Sequence, residues 1–138
     1  MKRLIFLINL FLLTGITFGQ VLPKGTIIGT HQMTITLKQG VTMEQYMQYF
    51  TSKYLPEYNK LDPDWQAYLV KGIRGSIFAN TIGVIYVIKS EQTRAKYINP
   101  DGSATELQKS GNAKLKPVAD ELNKLGTYVS TWTDWVVQ

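Results

Sequence analysis

Hydrophobic and polar positions divide this chain into a regular series of elements. Residues 20–29 carry Pro23, Gly25 and Gly29 and read as an irregular lead-in. Residues 31–38 then alternate, with His31, Met33, Ile35 and Leu37 pointing one way and Gln32, Thr34 and Thr36 the other. A period of two with β-branched content predicts a strand whose faces meet different surroundings. Gln39-Gly40 ends it, and Thr42 with Gln45 three residues on has the spacing of a capping box. In the helix that follows, Met43, Tyr46, Met47, Phe50, Tyr54 and Tyr58 recur at helical spacing and form one apolar stripe. Pro56 lacks an amide hydrogen and predicts a kink or an early end.

Leu61-Asp62-Pro63-Asp64 predicts a turn. Residues 65–71 then read as a strand, and Gly72, Arg74, Gly75 and Ser76 belong to a long hairpin connection. Residues 82–89 are apolar on both faces, which predicts a central strand of a covered sheet. Ser90, Glu91 and Thr93 open a short helix through Tyr97, and residues 99–103 (Asn-Pro-Asp-Gly-Ser) are turn-forming. Residues 105–125 predict a helix kinked or restarted at Pro117, with Leu115, Val118, Ala119, Leu122 and Leu125 as its buried stripe. Gly126 reads as a helix stop and residues 128–137 as the last strand.

The order β-α-β-β-α-β is the split βαβ pattern of a ferredoxin-like α+β fold, a four-stranded antiparallel sheet with both helices on one face. If the His31 side faces the helices, Gln32, Thr34 and Thr36 line the open face. The third strand adds Tyr86 or Ile85, the second Tyr68 or Trp65. The last offers Trp132 and Asp134 on one side and Trp135 on the other. Such a mixture of aromatic rings and hydroxyls is expected to be covered, either by a two-fold partner or by a small-molecule ligand.

The run His31-Gln-Met-Thr-Ile-Thr-Leu-Lys38-Gln-Gly40-Val41-Thr42, followed by Gln45, resembles the opening of the dimeric α/β-barrel superfamily. It is most similar to the stress-responsive A/B-barrel domains, which also begin with a strand histidine and then Lys and Gly before a Val-Thr or Val-Ser helix cap. That superfamily includes cofactor-independent antibiotic-biosynthesis monooxygenases and haem-degrading enzymes. The resemblance implies a ferredoxin-like protomer over most of residues 30–138 and a homodimer whose two sheets close a barrel. Where those relatives often carry further histidines, this chain has Tyr97-Ile98-Asn99-Pro100.

Charge and composition narrow the function classes. The formal net charge of +5 is scattered along the chain, and Lys2 and Arg3 supply part of it. Without a basic cluster, no nucleic-acid partner is expected. The absence of cysteine excludes disulfides, thiolate chemistry and a cysteine-linked lipid. Lys2-Arg3, an apolar run and Gly19-Gln20 have the layout of a secretory signal peptide, too short to anchor in a bilayer. The expected organisation is a signal peptide over 1–19 and one domain over 20–138. The expected location is the periplasm or exterior of a bacterium, with no membrane anchor in the mature chain.

His31 is the single histidine, so a metal site built of histidines is excluded within one chain, and no metal or cofactor is expected. As a neutral imidazole it can orient a substrate or accept a proton; a packed strand histidine is the structural alternative. Asp134, between Trp132 and Trp135, is a second candidate base, the alternative being a strand carboxylate paired with Lys or Arg. Arg74 beside Gly72 and Gly75 offers a fork of donors for an anion. The candidate catalytic residues are thus His31 and Asp134, and the candidate ligand-binding residues Gln32, Thr34, Thr36, Tyr86, Trp132 and Arg74. The leading expectation is a homodimer that binds a small, partly apolar or aromatic molecule on the open sheet face. A cofactor-independent monooxygenase or isomerase is the first alternative and a ligand-free interaction module the second.

Overall fold

Alternating strand positions and helical stripes meet in one core. A computed structural model describes residues 22–74 and 80–138. The segment read as a signal peptide and residues Gly75 and Ser76 of the hairpin connection lie outside the described residues. The elements run β1 (Ile27–Leu37), α1 (Met43–Tyr49), a π-helical turn (Phe50–Tyr54), α2 (Leu55–Asn59), β2 (Trp65–Val70), β3 (Thr81–Ile88), α3 (Glu91–Ala95), α4 (Glu106–Leu125) and β4 (Gly126–Val136). The strands form one antiparallel sheet in the order β2-β3-β1-β4. This is the ferredoxin-like arrangement that the element order and the resemblance both imply.

Met33 and Ile35 of β1, Ala67 of β2, and Ile82 and Val84 of β3 are buried against Tyr46, Phe50 and Leu55 of the first helical stretch and Leu122 of α4. The odd-numbered side of β1 therefore faces the helices, while Gln32, Thr34 and Thr36 are exposed on the other face. Thr42 and Gln45 form the capping box, with the Thr42 amide donating to Gln45 Oε1 at 2.8 Å and the Gln45 amide to Thr42 Oγ1 at 3.2 Å.

Several local expectations are corrected. The lead-in is not irregular throughout, because β1 already begins at Ile27, where Ile27 and Ile28 pair with Ile88 and Val87. Gly29 sits inside the strand because its neighbours come close. A Cβ there would lie 3.1 Å from Asp134 Oδ1 and 3.4 Å from Tyr86 Cβ. Pro56 does not end the first helix; the turn before it widens, and the Leu55 amide donates to the Phe50 carbonyl five residues back. Thr51 and Ser52 hydroxyls donate to the Met47 and Gln48 carbonyls on either side of this wide turn. Helix α4 runs through Pro117 without restarting. Ala113 and Pro117 both lie on its exposed side, so the carbonyl that proline leaves free is open to water. Gly126 is extended (φ 179°) rather than left-handed, and starts β4 directly. Its glycine is required by proximity, since a Cβ would approach the Thr36 carbonyl oxygen to 2.9 Å.

Candidate functional site

The helix layer covers β2, β3 and β1 but stands off β4, whose residues after Gly126 are all exposed. The gap is a cleft of about 400 Å³ on the helix side of the sheet. Register decides which side chains enter it. His31 lies opposite Trp132 and Gly29 opposite both Tyr86 and Asp134, so the side chains of Trp132, Tyr86 and Asp134 share one face with His31. Tyr54 and Tyr58 reach the cleft from the first helical stretch, and Gln108 and Asn112 from α4.

His31 lies on the sheet floor of the cleft. Tyr86 meets it edge-on at 4.7 Å between ring centroids, and Trp132 stacks over it at 6.3 Å. Tyr86 in turn packs on Tyr58 at 5.7 Å, and Tyr58 on Tyr54 at 6.3 Å. Edge-to-face and offset contacts of this kind hold the rings in place. Burial lowers the His31 pKa below 6.5, and the nearby Asp134 carboxylate only partly opposes it. The ring is therefore neutral at physiological pH and keeps an unprotonated nitrogen. Burial also raises the phenols, Tyr54 to about 12 and Tyr58 and Tyr86 further, so they remain hydrogen-bond donors.

At the α3 end, Arg94 Nε donates to Asp134 Oδ2 at 3.1 Å, and its Nη1 lies 3.5 Å from Glu91 Oε1. Ser90 fixes the start of α3 by accepting from the Thr93 amide, which sets the helix that carries Arg94. The ion pair ties α3 to β4 across the cleft and is itself partly shielded from water. Asp134 is thus a paired carboxylate, the alternative that its sequence context left open.

The sequence candidates divide between two faces. His31, Tyr86, Trp132 and Asp134 converge on the helix-side cleft. For Tyr86, Trp132 and Asp134 this corrects the expected open-face position. Strand β3 is apolar on both sides, so its pattern did not choose a face, whereas pairing with Gly29 does. Gln32, Thr34 and Thr36 are on the open face as expected, and Gln32 and Arg74 border a shallow hollow beside Gly83 there. Thr34 and Thr36 join neither group. Sequence reasoning missed Arg94 and the lining roles of Tyr54, Tyr58 and Tyr128. The tyrosines were legible only as a helical stripe or a strand position, and nothing local links Arg94 to a carboxylate forty residues away. Among the described residues, no group of three or more histidines, aspartates or glutamates is placed to hold a metal ion. No helix among them is long and apolar enough to cross a membrane.

No family model matches the chain, and no curated protein matches it. Among solved structures, it is similar to SnoaB, a cofactor-independent oxygenase from Streptomyces nogalater. That match has 13% identity and a TM-score of 0.48 and covers 83% of this chain and 94% of that one. It is also similar to a candidate antibiotic biosynthesis monooxygenase from Caulobacter crescentus CB15, with 16% identity and a TM-score of 0.40, covering 83% of this chain and 92% of that one.

Proposed function

We propose that this protein binds a small aromatic molecule carrying a hydroxyl or carbonyl group, and that the ligand lies in the helix-side cleft rather than on the open face of the sheet. One observation carries this reading: a cleft of about 400 Å³ walled by tyrosine and tryptophan rings, with a neutral histidine at its floor. Aromatic walls with a few convergent polar groups are the usual construction of a small-molecule site. The phenols and the amides of Gln108 and Asn112 supply donors for a ligand oxygen. The test is a titration with 1-naphthol, read by quenching of tryptophan fluorescence. Saturable quenching that is lost in Asn112→Phe, which fills the cleft from the exposed side of α4, is the expected result. Equal quenching in both proteins would remove the cleft as the site.

A second reading, cofactor-independent oxygenation, is favoured by the unprotonated nitrogen of His31 beside phenol donors. A base there takes a proton from an activated C–H or O–H acid, and the resulting anion reacts with dissolved oxygen. With anthrone as the probe, one oxygen atom enters the product as a carbonyl and the other leaves as water. His31→Gln is expected to abolish oxygen consumption while retaining ligand quenching; undiminished consumption would remove His31 as the base.

The open face is assigned to a second copy of the chain. It exposes Tyr68, Val70, Val129 and Trp135 around the threonines of β1, and a homodimer covers such a face most simply. Export from a bacterial cell, directed by residues 1–19, belongs to the same proposal. Sedimentation of the protein lacking those residues tests the dimer, and a monomer at micromolar concentration would overturn it.

A further inference from the structure

The aromatic cleft does not end at His31. A second hollow of about 240 Å³ adjoins it and shares His31, Tyr54, Tyr86 and Tyr128 as a common boundary. Its remaining walls differ in chemistry. Met33, Phe50, Ala119 and Leu122 supply its aliphatic and aromatic surface, with Asn123 and Ser130 as its polar members and no carboxylate or guanidinium. The first hollow instead holds the Arg94–Asp134 pair with Gln108 and Asn112, beside the apolar Trp65, Ile88 and Ile98.

Two independent rulers give the length of the combined trench. Along α4 its lining runs from Gln108 to Asn123, roughly 22 Å at 1.5 Å per helical residue. Along β4 it runs from Tyr128 to Asp134, roughly 20 Å at about 3.3 Å per strand residue. Helix and strand therefore bound a trench with an ion pair at one end and aliphatic side chains without a charged carboxylate or guanidinium at the other. Its two halves meet at the ring cluster around His31.

We infer that the trench takes an elongated amphipathic ligand, a phenol bearing an alkyl or acyl chain. The hydroxylated ring lies in the Arg94–Asp134 half beside His31, and the chain lies between α4 and β4 over Met33, Phe50 and Leu122. This rests on the reading of the cleft as an aromatic site and adds its ligand class. A compact polar aromatic leaves the apolar half in contact with water, whereas a chain removes that surface from water at a gain that grows with each carbon.

The experiment uses 4-methylphenol, 4-butylphenol and 4-hexylphenol, each titrated against the wild type, Ala119→Phe and Ser130→Phe. Both substitutions place a ring in the apolar half, one from α4 and one from the exposed strand β4, so one serves if the other fails to fold. In the wild type, affinity is expected to rise by up to about fourfold per added methylene. The plugged variants are expected to bind 4-methylphenol as the wild type does and to lose the gain with chain length. A wild type that binds 4-methylphenol with no gain for longer chains overturns the inference and leaves the aromatic site standing. A gain that persists unchanged in both plugged variants also overturns it, because the chain then lies elsewhere. Failure of all three phenols to bind overturns the aromatic site as well.

Discussion

Strands β3 and β4 both flank β1, pair with it in antiparallel register and carry similar β-branched and aromatic residues. Their surroundings differ sharply. In β3, Ile82, Val84 and Ile88 are 1–2% exposed, whereas in β4 Val129 is 73% exposed and Trp132 61%. The edges of the sheet differ in the same sense. The outer edge of β2 is closed by Asn59, which donates to the Ala67 carbonyl at 3.0 Å and accepts from the Ala67 amide at 2.8 Å. β4 is nearly twice as long and lies outside the helical cover. Similar residues therefore do different work. In β3 they stabilise the fold, and in β4 they form the wall of a cleft.

Substitutions of similar size should separate the two strands. Ile82→Ala removes buried carbons and leaves a cavity beneath the helices, and is expected to cost about 2–5 kcal/mol in urea unfolding. Val129→Ala is expected to change the stability of a lone protomer by no more than about 0.5 kcal/mol, the usual range for an exposed site, and by more at concentrations where the proposed second copy covers the open face. Comparable losses would mean that β4 is covered in solution, and if the loss for Val129→Ala grew with protein concentration, the cover would be a second copy.

This contrast also explains what the sequence could reveal. β1 was legible because its two faces meet different surroundings, so Met33 and Ile35 alternate with Thr34 and Thr36. β3 is apolar on both sides and β4 is exposed on both, so neither carries an alternation that chooses a face. The expectation that Tyr86, Trp132 and Asp134 line the open face therefore fails, and only the pairing with Gly29 and His31 orders them. The π-helical turn was equally hidden. Pro56 signals a break, but widening the preceding turn meets its missing amide without ending the helix. His31 and Asp134 were legible as candidates from residue type alone, but the arrangement that joins them was not. It depends on strand register and on Arg94 of a five-residue helix whose local sequence gives no hint of its partner.

A middle-sized effect should come from the pair that joins β4 to the helical layer. Arg94→Met keeps much of the stem and removes the guanidinium, leaving Asp134 facing the cleft without its partner. With both side chains partly shielded, the expected cost is about 1–3 kcal/mol. Asp134→Asn should cost less, and the double variant less than the sum of the two, because one interaction is lost in both. Strict additivity in a urea-unfolding cycle would show that the pair contributes nothing to holding α3 against β4.

The smallest effect concerns His31, where the two strands meet on β1. Its folded pKa lies below the unfolded value of 6.5 because burial disfavours the imidazolium. Between those two values the unfolded chain binds more protons than the folded one, so stability rises with pH there. The contribution is complete above 6.5 and is lost as pH falls toward the lowered folded value. Asp101, whose carboxyl is lowered from 3.8 by hydrogen bonds from Ser103, adds no slope above pH 5, since it is ionised in both states there. Urea midpoints between pH 8 and pH 5 should therefore decline for the wild type and decline less for His31→Gln. Equal slopes would mean that His31 is as well solvated as in the unfolded chain. The cleft would then be open to water at its floor, and the ring would lose its claim to be a neutral base at lower pH.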